Sequence, residues 1–337
     1  MRTKLRALLK KYFEHQALVL MYHRVAMPAS DIWGIAVSPE NFEQHLQVLQ
    51  KTKKVIPVKQ LVEDIRNGYV RKNSVAITFD DGYVDNFTVA KPLLEKYKLP
   101  ATFFITSGNL GQQAEFWWDE LEYLILFSAR LPRQFSMSIN GNDISFDLQQ
   151  EAELDEALRQ KNSNWDACKD APPTVRAALF LEVWQHLKPL PHTLQQEMLQ
   201  RIRAWAGASV SAREDFRSMT EAQLKRLSKH RLFDVGAHTV SHPALAFHDK
   251  AYQQQELLEN ARLLKQVTSV KAAVLAYPYG NYNNVTATIA AEIGFAAAFT
   301  TEEKPVTRHS PRFRLGRIQA PNCSGPEFAA LLNKPFK

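Results

Sequence analysis

Ser74-Val-Ala-Ile-Thr-Phe-Asp80-Asp81-Gly82-Tyr83 is the stretch that decides the fold. An apolar run typical of a buried β-strand ends abruptly there in two adjacent carboxylates and a glycine. Folds that alternate strands and helices place their active sites at the carboxyl ends of such strands. Because neighbouring carboxylates repel each other, the pair favours a bound cation. For this stretch alone, the more common interpretation is that an aspartate caps the next helix.

Similar apolar runs recur along the chain and alternate with segments of helical periodicity. They predict strands over residues 17–22, 75–79, 102–106, 233–236, 273–277, 296–300 and 314–318. The intervening periodicity predicts helices over residues 41–51, 58–67, 85–97, 221–229, 252–267 and 285–293. This alternation predicts an α/β fold whose parallel sheet is closed, or nearly closed, into a barrel.

The interval between residues 107 and 218 breaks the alternation and is too long for a simple loop. Asn140-Gly141 favours a tight turn, so a hairpin is predicted over residues 135–139 and 142–148. Helices are predicted over residues 151–160, 174–187 and 194–205. The predicted organisation is an N-terminal helix at 1–16, a barrel formed by 17–110 and 220–322, a mainly helical insertion at 111–219, and a C-terminal helix or tail at 323–337.

A second polar strand end follows in Phe233-Asp-Val-Gly-Ala-His238-Thr-Val-Ser-His242-Pro243. Two imidazoles four residues apart can face one metal ion if the segment between them coils through about one turn. In isolation this spacing is a weak signal, and chance or core packing is the better explanation. Together with Asp80-Asp81, it predicts a site of two histidines and one carboxylate with open positions for water and substrate.

Two further strand ends carry candidate groups. In Leu275-Ala-Tyr-Pro-Tyr-Gly280, a rigid turn can aim the backbone N–H of Tyr279 at an oxyanion. In Val19-Leu-Met-Tyr-His23-Arg-Val25, a buried strand ends in His23, a side chain able to donate a proton near neutral pH. A plain turn and a structural histidine are the respective alternatives.

Thr78-Phe-Asp-Asp-Gly82, His238-Thr-Val-Ser-His242 and Tyr277-Pro-Tyr-Gly280 resemble, in this order, the motifs of the polysaccharide deacetylase family, also called NodB-homology or carbohydrate esterase family four. The resemblance covers roughly residues 17–110 and 220–320. It implies an irregular (β/α)7-type barrel and one divalent metal ion, zinc in the first place, with nickel, cobalt or manganese as alternatives. It also implies the roles of base for Asp80 and of metal ligands for Asp81, His238 and His242.

The chain departs from the family pattern at two places. Ala276 stands where many members have an arginine that steadies the base, and the late segment Arg314-Leu-Gly-Arg317-Ile318 has no histidine to act as the acid. In both respects the chain is similar to poly-N-acetylglucosamine de-N-acetylases, which take the acid from an N-terminal strand end. The resemblance to this subgroup implies that His23 is the acid. We hypothesise that Arg317 replaces the arginine missing at Ala276.

The activity that the resemblance implies is metal-dependent hydrolysis of N-acetyl groups from a polysaccharide, oligosaccharide or lipid-linked glycan. Trp117 and Trp118 are candidates for stacking on sugar rings, although clustered aromatics are more often core residues. Tyr83 and Pro278, which belong to the motif regions, are further candidates for substrate binding. The alternatives are a metal-dependent amidase of the same fold acting on a non-sugar C–N bond, and a non-catalytic glycan-binding module.

The amino-acid composition limits which binding partners and which cellular compartment are expected. The formal charge of +7 comes from scattered basic residues, so nucleic-acid binding is not predicted. Two distant cysteines indicate neither a disulfide framework nor a thiolate metal site and suit a reducing compartment. We therefore expect a cytoplasmic protein, and the sequence gives no oligomeric state. The basic segment at residues 1–15 predicts a soluble first helix or, less favoured, peripheral contact with the inner face of a membrane.

Overall fold

The computed structural model describes residues 15–208 and 213–334 of the 337-residue chain. The helix predicted at residues 1–16, and with it the predicted membrane contact, lies outside the described residues except for His15 and Gln16. None of the helices within the described ranges combines the length and the apolar character needed to span a bilayer.

The strands in chain order are β1 (Leu18–Tyr22), β2 (Arg24–Val25), β3 (Ala36–Val37), β4 (Lys54–Val55), β5 (Ser74–Phe79), β6 (Ala101–Ile105), β7 (Gln134–Ile139), β8 (Asn142–Asp147), β9 (Phe233–Ala237), β10 (Val274–Ala276), β11 (Ala297–Phe299) and β12 (Ile318–Gln319). The α-helices are α1 (Pro39–Thr52), α2 (Val58–Arg66), α3 (Lys91–Tyr97), α4 (Trp117–Glu122), α5 (Glu156–Ser163), α6 (Val175–Leu187), α7 (His192–Ala206), α8 (Glu221–Ser228), α9 (Lys250–Thr268), α10 (Asn284–Ile293) and α11 (Gly325–Leu331).

One parallel sheet organises the molecule. Its strands follow the order β11, β10, β9, β6, β5, β1 and β12, with β4 paired to the start of β5. β5 is buried along its whole length and pairs with β1 over five residues. Because the strands are parallel, their carboxyl ends meet at one edge of the sheet. The predicted α/β architecture, a barrel-like parallel sheet with helices around it, is confirmed.

Residues 312–319 connect the two edges of this sheet. Leu315 forms a parallel bridge with Phe299 of β11, whereas β12 pairs with β1. Between these pairings the backbone passes close to another loop, because a Cβ atom at Gly316 would lie 2.5 Å from the carbonyl oxygen of Lys304. The strand predicted over residues 314–318 is therefore wrong as one continuous strand. Arg317, which is fully buried, lies at the break.

The helices predicted between the barrel strands are present, with ends that differ by a few residues. The region 85–97 is an exception, since Asn86–Ala90 forms a π-helical turn before α3 begins. Pro92, in the first turn of α3, has no N–H to donate, and this explains a change of hydrogen bonding at the junction. The prediction of one regular helix there is wrong.

The segment between β6 and α8 contains a hairpin and several helices. β7 and β8 pair antiparallel around Asn140 and Gly141, which have φ values of 50° and 80°. The helix predicted over 151–160 is wrong in its first half, because Asp155 caps α5 by accepting a hydrogen bond from the Leu158 N–H at 2.7 Å. α4 was not predicted. This segment forms an apolar core of its own, separate from the two clusters that pack on the sheet.

Candidate active site

Asp80 and Asp81 lie at the carboxyl end of β5, in the middle of the sheet. The Asp80 N–H still donates to the Tyr22 carbonyl of the neighbouring strand, at 2.9 Å. Asp81 then turns with a φ of 69°, and Gly82 follows with a φ of 92°. A Cβ at Gly82 would approach Ile105 to 3.0 Å, so a glycine suits this turn in both conformation and space. After the turn the two carboxylates have different partners.

Asp81, His238 and His242 converge on one point. The Asp81 Oδ1 atom lies 3.3 Å from His238 Nε2 and 3.2 Å from His242 Nε2. All three side chains are buried, and they form the group among the described residues whose ligand atoms could hold a metal ion. The structure thus brings together the three residues predicted as metal ligands, one from the β5 turn and two from the loop after β9.

The proton positions in this group fit a cation. His238 Nδ1 lies 2.7 Å from the Ala276 carbonyl oxygen, which can only accept, so Nδ1 carries the proton and neutral His238 presents a lone pair at Nε2. Asp81 Oδ1 is enclosed and has no hydrogen-bond partner within residues 15–208 and 213–334. Acceptor atoms that face each other in a buried place need positive charge between them, so these residues fit a divalent metal ion.

The pKa shifts of the site residues also favour a bound cation. Burial opposes ionisation of Asp81, yet His238 and His242 hold the pKa of this carboxyl well below its usual range. Burial also works to lower the pKa of His238, but Asp80 and Asp81 raise it above its ordinary value. Burial lowers the pKa of His242, which favours the neutral form that binds metals. The two carboxylates therefore attract positive charge into the site.

Asp80 lies beside the three converging residues and is held by Arg317. The Arg317 guanidinium donates hydrogen bonds of 2.6 and 2.7 Å to the two carboxylate oxygens. Asp80 Oδ2 is 4.0 Å from His238 Nε2. Burial would raise the pKa of Asp80, but Arg317 and then His238 hold it below its usual value. Arg317 therefore occupies the place near Asp80 that we hypothesised for it, while Ala276 contributes its carbonyl to His238.

His23 follows β1 and is partly exposed. Its charged form would lower the pKa of both Asp80 and Asp81, which places the ring within electrostatic range of the two acids. His23 Nδ1 is enclosed and finds no hydrogen-bond partner in the described part of the chain. Asn86 donates to the His23 carbonyl at 2.7 Å and so holds the backbone beneath the imidazole.

Pro278 and Tyr279 follow β10 in a short 3₁₀ turn. Tyr279 has a φ of 57°, and its ring centroid lies 4.5 Å from that of His242 in an edge-on arrangement. Pro278 is buried beneath the turn. The structure therefore places Tyr279 against a predicted metal ligand, and the role of its N–H stays a prediction.

The aromatic residues predicted to bind substrate are buried next to the site. Tyr83 is fully buried and donates a hydrogen bond to Asp119 at 2.7 Å, so it presents no surface to a ligand in this structure. Trp118 donates to the Tyr83 hydroxyl at 2.9 Å, and its ring centroid lies 4.6 Å from that of His242. Trp117 and Trp118 are about 95% buried, and they also line a cavity of about 250 Å³ beside the His238–His242 loop.

Helix α9 supplies two supports that the sequence motifs did not reveal. The Glu256 carboxylate accepts hydrogen bonds from the N–H groups of Val240 and Ser241, at 2.8 and 3.0 Å, and from the Ser241 hydroxyl at 2.7 Å. One turn later, Asn260 accepts from the His238 N–H at 3.1 Å. Polar residues spaced four apart on an otherwise buried helix face are the signal that could have identified them.

Known proteins match this chain over different extents. The family model of polysaccharide deacetylases matches residues 67–126 and 198–298. YxkH of Bacillus subtilis is 20% identical over 317 residues, which are 93% of this chain and 75% of that protein. Poly-beta-1,6-N-acetyl-D-glucosamine N-deacetylase of Staphylococcus aureus is 34% identical over 116 residues, 31% of this chain and only 40% of that enzyme's length. The structure of IcaB from Ammonifex degensii superposes with a TM-score of 0.57 at 19% identity, over 95% of this chain and 98% of that chain.

A curved parallel sheet with a two-histidine, one-carboxylate group at its carboxyl edge defines the class of the protein as a barrel-like α/β protein with a candidate metal site. The chain carries a polysaccharide deacetylase domain, as the match to the family model shows. The predictions of the family and of the hydrolase class are thereby confirmed. The matched segments leave residues 127–197 outside, so most of the insertion lies beyond the part covered by the family model.

Proposed function

We propose that the chain removes N-acetyl groups from a carbohydrate by metal-dependent hydrolysis and releases acetate. The observation that carries this proposal is the approach of Asp81, His238 and His242 to one point, beside Asp80, a second carboxylate with a partner of its own. Such an arrangement separates the two tasks of the reaction. One carboxylate serves to hold a cation, and the other stays free to take a proton.

Asp81, His238 and His242 would hold one divalent ion. Zinc is our first choice because two neutral imidazoles and a carboxylate suit it, and nickel, cobalt and manganese are alternatives. When bound, this ion would polarise the acetamide carbonyl and lower the pKa of water. The hydrogen bond from His238 to the Ala276 carbonyl fixes the orientation of one ligand ring.

Asp80 is the proposed base. Arg317 keeps the carboxylate ionised and fixes its orientation, so Asp80 can accept the proton of the attacking water at neutral pH. The short distance between Asp80 and His238 places this base next to the proposed ligands. Removal of the proton increases the nucleophilicity of the water at the acetamide carbon.

In this proposal, Tyr279 acts on the oxygen of the acetamide and His23 acts on the departing amine. The Tyr279 N–H donates a hydrogen bond to the oxygen that gains negative charge during the attack. His23, in its protonated form, donates a proton to the departing amine. The influence of His23 on the pKa of Asp80 and Asp81, which it lowers, places the ring near the two acids and supports this assignment.

The proposed substrate class is an N-acetylated glycan. The Staphylococcus aureus relative is named for the deacetylation of poly-β-1,6-N-acetylglucosamine, although this chain covers only part of that enzyme.

Acetate release from β-1,4- and β-1,6-linked N-acetylglucosamine oligomers tests the proposal. We expect release that a chelator abolishes and added zinc restores. Asp80→Asn should lower turnover by about 10³-fold with unchanged metal content, whereas Asp143→Asn, in the exposed hairpin strand, should be neutral. Binding of these oligomers without release, unaffected by Asp80→Asn, would establish the binding-module alternative. Hydrolysis of cyclic amides or formamides, without acetate release from glycans, would establish the amidase alternative.

A further inference from the structure

Four aromatic side chains, which we call the aromatic wall, connect the insertion to the candidate site. They are Trp33, Trp117, Trp184 and Tyr279. Trp184, in α6, lies at the centre, with ring centroids 4.8 Å from Trp33, 6.3 Å from Trp117 and 6.2 Å from Tyr279. Since Tyr279 also contacts His242, the aromatic wall extends from the insertion to a proposed metal ligand.

A lysine side chain lies against this wall. Lys188, one helical turn after Trp184, has its Nζ atom 4.7 Å from the centroid of the Trp184 ring and 4.5 Å from that of Tyr279. The ammonium is therefore separated from His242 by only one ring. Lys188 is partly buried and follows the last residue of α6.

Lys188 differs in its charge partners from three arginines that are buried or partly buried. Arg24, Arg213 and Arg317 each form a salt bridge with an aspartate or glutamate. For Lys188, no such bridge exists within residues 15–208 and 213–334, and burial alone accounts for the lowered pKa of its ammonium. A partly buried cation without a carboxylate is unfavourable in the free protein and ready to pair with an anion.

The aromatic wall also offers hydrogen-bond donors. Trp33 Nε1 and Trp184 Nε1 are enclosed and have no partner among the residues that the structure describes. Buried polar atoms are usually satisfied, and each of these two can donate to an oxygen. A cation, two donors and flat aromatic faces together suit a sugar ring that carries an oxygen-rich acidic group.

We propose that the aromatic wall is a substrate subsite in which Lys188 selects glycans with an acidic group, carboxylate or phosphoryl, on the acetamido sugar or on the sugar next to it. This inference rests on the proposed deacetylase function and names the substrate class more closely. Because Lys188 and His242 both lie against the Tyr279 ring, one sugar can span the distance between the acetamide and the acidic group. Residues 127–197, which include α6, lie outside the matched family segments, so the selectivity belongs to the insertion of this chain.

Cation–π attraction alone is the competing explanation for Lys188. A lysine over two aromatic rings is stabilised by about 0.5–2 kcal/mol without any ligand. In that case Lys188 only packs the insertion against the barrel, and its charge has no influence on which substrate binds. The two explanations differ in what the loss of the charge does to neutral and acidic substrates.

Steady-state kinetics on matched substrates tests the proposal. The substrates are a neutral N-acetylglucosamine disaccharide, the same disaccharide with a uronic acid as the second sugar, and N-acetylglucosamine 1-phosphate. We expect Lys188→Met to raise KM about 10- to 100-fold for an acidic substrate. Its kcat, and both constants for the neutral disaccharide, should change less than twofold, and Lys188→Arg should restore KM. The acidic substrate that responds identifies a carboxylate or a phosphoryl group as the ligand.

Lys161→Met, an exposed lysine of α5 in the same insertion, controls for net charge and should leave every constant unchanged. Equal changes for neutral and acidic substrates in Lys188→Met, or a wild-type chain without preference for either acidic substrate, would overturn the proposal. Acetate release from neutral glycans would then still support the proposed function.

Binding measurements distinguish the subsite proposal from the proposed deacetylase function if the chain releases no acetate. Binding of the same three sugars to the Asp80→Asn chain is followed by tryptophan fluorescence, to which Trp33, Trp117 and Trp184 of the aromatic wall contribute as three of the six tryptophans. Tighter binding of an acidic sugar that Lys188→Met removes supports the subsite even if no acetate is released, and the proposed function alone then fails. Equal binding of all three sugars overturns the subsite.

Discussion

Arg317 and Asp80 form a bidentate ion pair, although 237 positions separate them in the sequence. The guanidinium also donates to the Thr300 carbonyl at 3.0 Å and to the Thr78 hydroxyl at 3.3 Å. Arg317 lies where the closing segment of the sheet is interrupted, and it reaches the carboxyl end of β5. The residue that fills the break in the barrel therefore also orients the proposed base.

Arg317→Lys tests this coupling. Lysine keeps the positive charge but cannot hold a planar carboxylate with two parallel hydrogen bonds. We expect kcat/KM for acetate release to fall about 10- to 100-fold, the effect typical of residues that orient catalytic groups. Metal content, measured by elemental analysis, should be unchanged because Arg317 contacts none of the proposed ligands. Arg314→Lys, at an exposed position three residues earlier, is the control.

Arg317→Met adds a stability prediction. Without the guanidinium, Asp80 is buried without its salt-bridge partner, so the free energy of unfolding should fall by about 3–5 kcal/mol. The double variant Asp80→Asn/Arg317→Met should recover part of this loss, as measured by urea denaturation. Full turnover in Arg317→Lys would contradict the orienting role and leave Arg317 with a part in barrel closure only.

Metal binding should stabilise the fold. Because the three proposed ligands come from the β5 turn and from the loop after β9, an ion that bridges them opposes unfolding by about 2.7 kcal/mol at a hundredfold excess over its Kd. Zinc should therefore raise the melting temperature of the chelator-treated chain. The rise should disappear in Asp81→Asn and in His242→Gln but persist in Asp80→Asn. A persistent rise in both ligand variants would place the ion elsewhere.

Glu256→Gln tests the support of the His238–His242 loop. The carboxylate accepts three hydrogen bonds from Val240 and Ser241, and an amide has one oxygen to offer in place of two. We expect metal affinity, measured by competition with a chromophoric chelator, to fall about 10- to 100-fold. Glu259→Gln, on the exposed side of the same helix, should have no effect. Equal affinities in the two variants would show that the loop holds its shape without Glu256.

Much of the barrel could be predicted from the sequence because its strands are short, apolar and buried. The run from Ser74 to Phe79 is rich in β-branched residues, and the structure differs from the prediction by one residue. The closing segment could not be predicted so well. Its pairing with β11 and then with β1 depends on the approach of Gly316 to the Lys304 carbonyl, a contact between distant parts of the fold. Local patterns carry no information on such contacts.

The residues of the candidate site also include some that the sequence could reveal and some that it could not. Asp80, Asp81, His238 and His242 could be proposed from motifs because each stands at a strand end. Tyr83 could not be placed, since its burial depends on the hydrogen bonds with Asp119 and Trp118 that the insertion supplies. Lys188 was missed for a related reason. A lysine near a helix end usually lies in solvent, and only the packing of α6 against Tyr279 brings its charge to the site.

His45 connects β1 to the C-terminal segment through a neutral imidazole. Fully buried in α1, it accepts a hydrogen bond from the Tyr22 hydroxyl at 3.2 Å and donates one to the Cys323 carbonyl at 2.8 Å. The Phe328 ring of α11 stacks on it at a centroid distance of 3.8 Å. Protonation would remove the acceptor and place a charge in the core. Burial accordingly lowers the pKa of His45 from 6.5 to about 4.

Acid should therefore destabilise the fold through His45. Because the pKa in the folded chain lies below that of the unfolded chain, the unfolded chain binds more protons between the two values, and stability is lost as the pH falls from about 6.5 towards 4. His45→Gln can form both hydrogen bonds but does not titrate. Between about pH 7 and pH 4.5, the free energy of unfolding, measured by urea denaturation, should fall by roughly 2 kcal/mol more in the wild type than in this variant. His309→Gln, at an exposed position, should follow the wild type. Equal acid sensitivity of the wild type and His45→Gln would show that His45 is not the titrating group, and the acid sensitivity would then belong to other residues.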